Sequence, residues 1–171
     1  MLELTYNRGV IKIEEQTLKY TQYKDGQENI ISELVWSVFT EFEAPYYSEK
    51  GVNTFREFIN PNRIRDRIQN EGFKVYCCFH KSEIVGVIAF RNITHISLLF
   101  VKKNYHRRGI AKELLRISIK DIQKFNPESV ELTVNSSPYA VKIYEKLGFI
   151  STDTMQEKDG IKYMPMKMSL C

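Results

Sequence analysis

Two arginines and a glycine stand together in YHRRGIAKELL, residues 105–115, where an apolar run gives way to a helical pattern. Backbone N–H groups left free at a helix start point along its dipole and attract anions. Gly109 would let a ligand approach the backbone with no Cβ in the way. Ala111 keeps the next approach small, and Arg107 and Arg108 add positive charge. Taken alone, the stretch admits three readings: an anion cradle, a nucleic-acid contact, or an ordinary solvated helix start. Two further side chains could move protons. Tyr144 offers a phenol near pKa 10, which either donates a proton or simply packs on the apolar stripe of its helix. His95 opens the run HISLLFV with an imidazole near pKa 6.5, either a base or a satisfied histidine near a strand start.

These residues need elements to hold them. The segment Leu2 to Thr17 carries weak signals, with an extra strand around Val10 to Ile13. Leu18 to Tyr23 reads as a strand followed by the turn chemistry of KDGQ. Ile30, Leu34, Val38 and Phe42 recur at helical spacing, which predicts an amphipathic helix over Glu28 to Phe42, ended by Pro45. SEKGVNTFREFI predicts a second short helix, and NPNRIRDRIQNEG a third helix or helical loop. FKVYCCFH, EIVGVIAF and HISLLFV are three β-rich runs, the first two joined by a break of hairpin length at Lys81 to Ser82. His95 lies four residues before Leu99, so period-two alternation puts both on one side of their strand.

The helix after YHRRG carries Ile110, Leu114, Ile117 and Ile122 and stops before Pro127. VELTV follows as a strand. Ser137 as N-cap and Pro138 at the first helical position then predict a helix with Ala140, Ile143, Tyr144 and Leu147 on one face, closed by Gly148. Two β runs end the chain, around Phe149 to Met155 and Ile161 to Ser169, split by KDG. This order predicts an α/β domain with a mixed sheet and no regular doubly wound topology.

Composition sets the outer limits. A chain of 171 residues with 43% hydrophobic and 27% charged residues can bury a core of its own. A balance of 25 basic to 21 acidic residues is too mild for a dedicated nucleic-acid binder, though it suits a local anionic ligand. Three cysteines, Cys77 and Cys78 adjacent, form neither a disulfide framework nor a metal-ligand spacing, so reduced thiols and no metal are expected. The first residues carry charges where a signal peptide needs an apolar segment, and no apolar run approaches the roughly 20 residues of a bilayer span. A cytoplasmic protein without membrane attachment is the expectation.

Two motifs carry a family resemblance. VKKNYHRRGIAKELL resembles the acetyl-CoA signature of the GNAT N-acetyltransferases, written Gln/Arg-x-x-Gly-x-Gly/Ala, and NSSPYAVKIYEKLGF resembles their second signature. Either motif alone is weak; the pair, in this order, is specific. The resemblance runs in element order from Leu18 to the C-terminus and is strongest from His95 to Phe149. It implies a single α/β domain over residues 18–171, with a mixed, mostly antiparallel sheet of six to seven strands flanked by helices. Residues 1–17 are then an N-terminal extension or extra strand.

The resemblance also implies chemistry: direct transfer of an acetyl group from acetyl-CoA to the primary amine of a small molecule or peptide. No cysteine lies in either motif, so a covalent route has no evident nucleophile. It assigns cofactor contacts to Leu99, Phe100 and Val101 on a splayed strand, to His106, Arg107, Arg108, Gly109, Ile110, Ala111 and Lys112, and to Asn135. The Leu99 N–H would polarise the thioester carbonyl. His106 departs from the motif, which usually has Gln or Arg there. Tyr144 would protonate the leaving sulfur, and His95 would accept the amine proton. Glu41 and Glu43, with Tyr46 and Tyr47, stand where the family gathers acceptor-site residues. Many relatives dimerise, so a homodimer is compatible. The alternatives are a non-catalytic CoA-binding sensor or scaffold, which the presence of Tyr144 argues against, and a nucleic-acid-binding domain, which the charge disfavours.

Overall fold

The computed structural model describes residues 17–170 in full and, before them, the backbone of two short strands. Those strands, β1 (Glu3–Asn7) and β2 (Val10–Glu14), pair antiparallel as a separate two-stranded sheet. The strand expected around Val10 to Ile13 is therefore present, paired with its neighbour in sequence.

The main sheet has eight strands: β3 (Leu18–Gln22), β4 (Lys74–His80), β5 (Glu83–Arg91), β6 (His95–Val101), β7 (Glu131–Ser136), β8 (Ile150–Ser151), β9 (Gln156–Lys158) and β10 (Ile161–Ser169). Their order is β3-β4-β5-β6-β7-β10-β8, with β9 paired to β10. Every pairing is antiparallel except β6 with β7. The class is the expected mixed, mostly antiparallel α/β sheet. The strand count exceeds expectation because the run after Phe149 breaks into two short strands rather than one.

Helices cover both faces. On one face lie α1 (Glu28–Phe42), α2 (Glu49–Phe58) and α3 (Pro61–Asn70), over Val87, Ala89, Leu98 and Phe100. On the other lie α4 (Ile110–Phe125) and α5 (Val141–Lys146), over Ile88, Phe90, Ile96 and Val134. The bounds of α1 match expectation, but its buried stripe is Ile31, Leu34, Val35, Val38 and Phe39. Ile30 sits at the rim, 36% exposed, because the helix turns its Ile31 side to the sheet. Glu28, buried at the start of α1, accepts hydrogen bonds from Arg65 of α3 and Tyr23, tying the two helices together.

Two local features aim the site. A Cβ on Gly86 would lie 2.9 Å from Ile110 Cγ2, so the glycine lets the start of α4 press against β5. Between Ala89 and Phe90 the β5–β6 register slips, the partner stepping from Leu98 to Ile96, so Ser97 is an extra residue in β6. One inserted residue reverses the facing of everything before it. Leu99 therefore pairs with Ile88 on the α4 side, whereas His95 pairs with Arg91 on the α1 side. The expectation that His95 and Leu99 share a face fails for this reason.

The last helix also starts later than expected. Ser137 to Ala140 form a turn, in which the Ala140 N–H donates to the Ser137 carbonyl at 3.0 Å and its hydroxyl at 3.3 Å. The serine caps this turn, and α5 begins only at Val141. Ile143 is 40% exposed and so leaves the buried face on which Tyr144 remains.

Candidate active site

Beyond Ile96 the parallel pair opens. Strands β6 and β7 pair only at His95 with Thr133 and Ile96 with Val134, yet β6 continues to Val101. On the other edge of β6, the Lys102 N–H donates to the Val85 carbonyl at 2.9 Å. Antiparallel alternation then directs the Phe100 N–H to β5 and leaves those of Leu99 and Val101 on the open side. The wedge between β6 and β7 is thus edged with unpaired backbone donors.

A cavity of about 540 Å³ fills the mouth of this wedge. It runs from Leu99, Phe100 and Val101 past His106 and Arg107 to the first turn of α4, where Gly109, Ile110, Ala111 and Lys112 line it. Gly109 caps α4 in the left-handed region (φ 76°), and a Cβ built on it would meet nothing within 4 Å. The space over the helix start is therefore open to a ligand, as an anion cradle requires. Arg107 also takes a left-handed backbone (φ 62°), so the loop bends twice to present its N–H groups. His106 turns back on the strand, its Nε2 donating to the Val101 carbonyl at 2.8 Å, with its ring against Phe42. Arg108 lies over the Tyr105 ring at 4.9 Å and, unlike its neighbours, does not line the cavity.

A second cavity, about 240 Å³, lies on the α1 side of the wedge. Its walls include Tyr47, Phe55, Phe58 and Ile161, with Arg91, His95, Ser97 and Asn135 among its polar residues. The two cavities share Glu43, Leu99, Phe100, Ala140 and Tyr144. They meet there.

The groups at this junction are strongly perturbed. Glu43 follows the last residue of α1, and its carboxyl turns into the enclosed junction. Burial pushes its pKa up from 4.5 to about 7, against a downward pull from hydrogen bonding with Ser137. Tyr144, 6% exposed, stands edge-on to Phe149 at 5.3 Å. Burial, and then the nearby charge of Glu43, raises its phenol well above 10, so it stays protonated. Tyr47 is stacked on Phe39 and is raised in the same way.

His95 is differently placed. Its Nδ1 contacts Thr133 Oγ1 at 2.8 Å and its Nε2 contacts Arg91 Nη2 at 3.1 Å. A guanidinium only donates, so Nε2 is the accepting nitrogen and Nδ1–H donates to Thr133. Burial, then the Arg91 charge, lowers the imidazole pKa to about 4. It is neutral near pH 7, and its only lone pair is taken.

Two expected acceptor-site residues are elsewhere. Glu41 sits on the outer side of α1, paired with Lys103, and Tyr46 is 48% exposed; neither lines either cavity. Rotation at the end of α1 separates Glu41 from Glu43, and the extended backbone of Tyr47 (φ −112°, ψ 152°) separates it from Tyr46. Asn135 is exposed on the α1-side cavity and does not line the larger one. Conversely, Arg91, Ser97, Phe55, Phe58 and Ile161 line the smaller cavity without having been singled out in sequence. The spacing of Phe55 and Phe58 on one helical face was the one available signal. Cys77 and Cys78 are buried in β4 with raised thiol pKa values and line neither cavity. Among the described residues, no group of three or more potential metal ligands gathers, and no helix is long and apolar enough to cross a membrane.

The family model for the acetyltransferase (GNAT) domain matches residues 43–170. The chain belongs to the GNAT N-acetyltransferases. An N-alpha-acetyltransferase of Arabidopsis thaliana is 29% identical over 149 residues, covering 81% of this chain and 70% of that protein. Among solved structures, a GCN5-related N-acetyltransferase from Rhodopseudomonas palustris superposes with a TM-score of 0.76 at 18% identity, over 90% of this chain and 96% of that one. A PaiA N-acetyltransferase from Thermoplasma acidophilum, solved in complex with coenzyme A, gives 0.75 at 18% identity, over 90% and 99%. This GNAT chain is an acyltransferase, and its matched region takes in both cavities' shared residues.

Proposed function

We propose that this GNAT enzyme transfers an acetyl group from acetyl-CoA to a primary amine by direct attack, across the junction of the two cavities. The single observation that carries the reading is that Glu43 and Tyr144, a carboxylate of raised pKa and a protonated phenol, stand together where the cavities meet. Acyl transfer needs one proton removed from the amine and one delivered to the departing sulfur; a base and an acid in one junction suit both.

The larger cavity fits acetyl-CoA. The N–H groups over Gly109 to Lys112, with Arg107, would hold the pyrophosphate. The unpaired N–H groups of Leu99 and Val101 would hold the amide-bearing arm as an added strand, leaving the Leu99 N–H to stabilise charge developing on the thioester oxygen. His106, on the wall of this cavity, would act with its Nε2 committed to the Val101 carbonyl. Asn135 would lie on the acceptor side. When bound, the donor supplies a thioester, an acyl group activated for attack by nitrogen.

The acceptor enters from the smaller cavity. A protonated amine is attracted to Glu43, which takes one proton at a pKa near 7 and frees the lone pair for attack; Tyr144 gives its own proton to the departing sulfur and is reprotonated by the second proton leaving the nitrogen. His95 is not the base on this reading, because Arg91 occupies its lone pair. It holds Arg91 and Thr133 in place. The test is release of free thiol from acetyl-CoA over a panel of primary amines, with the acetylated product identified by mass. Thiol release matched by acetyl-amine formation supports the reading; binding of CoA with no turnover of any amine contradicts it.

A further inference from the structure

The smaller cavity is charged unequally along its length. Its inner end holds Glu43, beside Leu99 and Phe100. Its outer end holds Arg91, the last residue of β5, paired in register with His95. His95 and Leu99 pair with Arg91 and Ile88, three residues apart on β5, which is about 10 Å along a strand. One end therefore suits a cation and the other an anion.

Arg91 is poised for an added partner. It donates one hydrogen bond, to His95 Nε2, and among the described residues no acidic side chain pairs with it. A guanidinium has five N–H donors in a fork that matches a carboxylate. His95 holds the fork over the cavity, and Thr133 holds His95. A second guanidinium is near: Arg67 lies over the Phe58 ring at 4.1 Å, and Phe58 lines the cavity. Burial lowers the Arg67 pKa, against the pull of Glu71, with smaller opposing contributions from Arg63, Asp66 and Arg91.

An independent observation lies between the two ends. Ser97, on the bulge of β6, lines the cavity, and its hydroxyl is buried with no hydrogen-bond partner. A buried hydroxyl without a partner costs about 1–3 kcal/mol, a cost removed when a ligand supplies one.

Resting on the transferase reading above, we propose that the acceptor is an amine that also carries a carboxylate several bonds away, bound by Arg91 while its amine meets Glu43. A free α-amino acid, with both groups on one carbon, is too short to reach both ends. An amine-terminal peptide with an acidic residue near its start has the required length, and its amide groups can satisfy Ser97. Arg91 is then the specificity-determining residue.

The test is kcat/KM for two acceptors that differ by one charge: the dipeptide amides alanyl-glutamate amide and alanyl-glutamine amide. The full-length wild type is expected to favour the acidic acceptor about tenfold, the effect of a charge-assisted pair in a partly enclosed site. The preference should fall to near one in Arg91→Gln, survive in part in Arg91→Lys and reverse in Arg91→Glu, with CoA affinity unchanged in all three. Equal rates for the two acceptors in wild type overturn the inference while leaving the transferase reading intact. So does a preference that persists undiminished in Arg91→Gln. Absence of thiol release with every amine overturns both.

Discussion

Replacing Glu43 by Gln should make the protein more stable and less active, each in a pH-dependent way. The carboxyl titrates near 7 in the fold against an ordinary 4.5, because burial opposes its charge. A group with a raised folded pKa favours the fold fully below the unfolded pKa and loses that advantage as pH rises through the folded one. Wild type therefore loses stability between about pH 4.5 and 7, whereas the glutamine variant does not. At about 1.4 kcal/mol per pKa unit, the difference is roughly 3 kcal/mol above pH 7. For a chain of this size that is roughly 6–12 °C in Tm. Thermal melts of both proteins from pH 4 to 8.5 should show curves that coincide in acid and separate through neutrality. In the same samples, Glu43→Gln should lower kcat/KM by about 10²-fold and abolish the limb that rises toward pH 7. Melts that differ equally at every pH would show that Glu43 is not titrating there. Undiminished turnover would remove it as the base.

Three other substitutions separate the parts. Tyr144→Phe should keep the fold, since it loses only a hydroxyl, and keep CoA affinity by calorimetry, while turnover falls about 10²-fold; near-wild-type turnover would return Tyr144 to a packing role. Gly109→Asp should weaken CoA binding by at least tenfold, because a side chain would enter the open space over the start of α4 and repel phosphate; unchanged affinity would misplace the cradle. His95→Gln should leave the pH profile of kcat/KM in place, since the imidazole pKa near 4 lies below the profile's rising limb; loss of that limb would restore His95 as the base.

Much of this architecture was legible because its signals are local. Pro45, Pro127 and Gly148 punctuate the chain where elements end, and the stripe along α4 marks its buried face. The loop from His106 to Lys112 could be placed for the same reason, since glycine and small residues at a strand-to-helix junction have a backbone consequence. What escaped was set by register. Nothing in HISLLFV marks Ser97 as a bulge, and that one residue turns His95 away from Leu99 toward Arg91. Glu41 and Glu43 look equivalent in TEFEAPYY. The end of α1 turns one toward Lys103 and the other into the junction, a difference of helical rotation that composition cannot express. Arg91 escaped because a charged residue at a strand end is ordinary until the cavity it lines is seen.

In the proposed reaction both substrates meet at Glu43, Leu99, Phe100 and Tyr144 and react without a protein-bound acyl group. Initial rates measured over a matrix of acetyl-CoA and acceptor concentrations test it most directly. Double-reciprocal lines that intersect, with no mass increase on the protein after incubation with acetyl-CoA alone, are the predicted result. Parallel lines together with a protein 42 Da heavier, about one acetyl group, would mean a covalent relay and would contradict it.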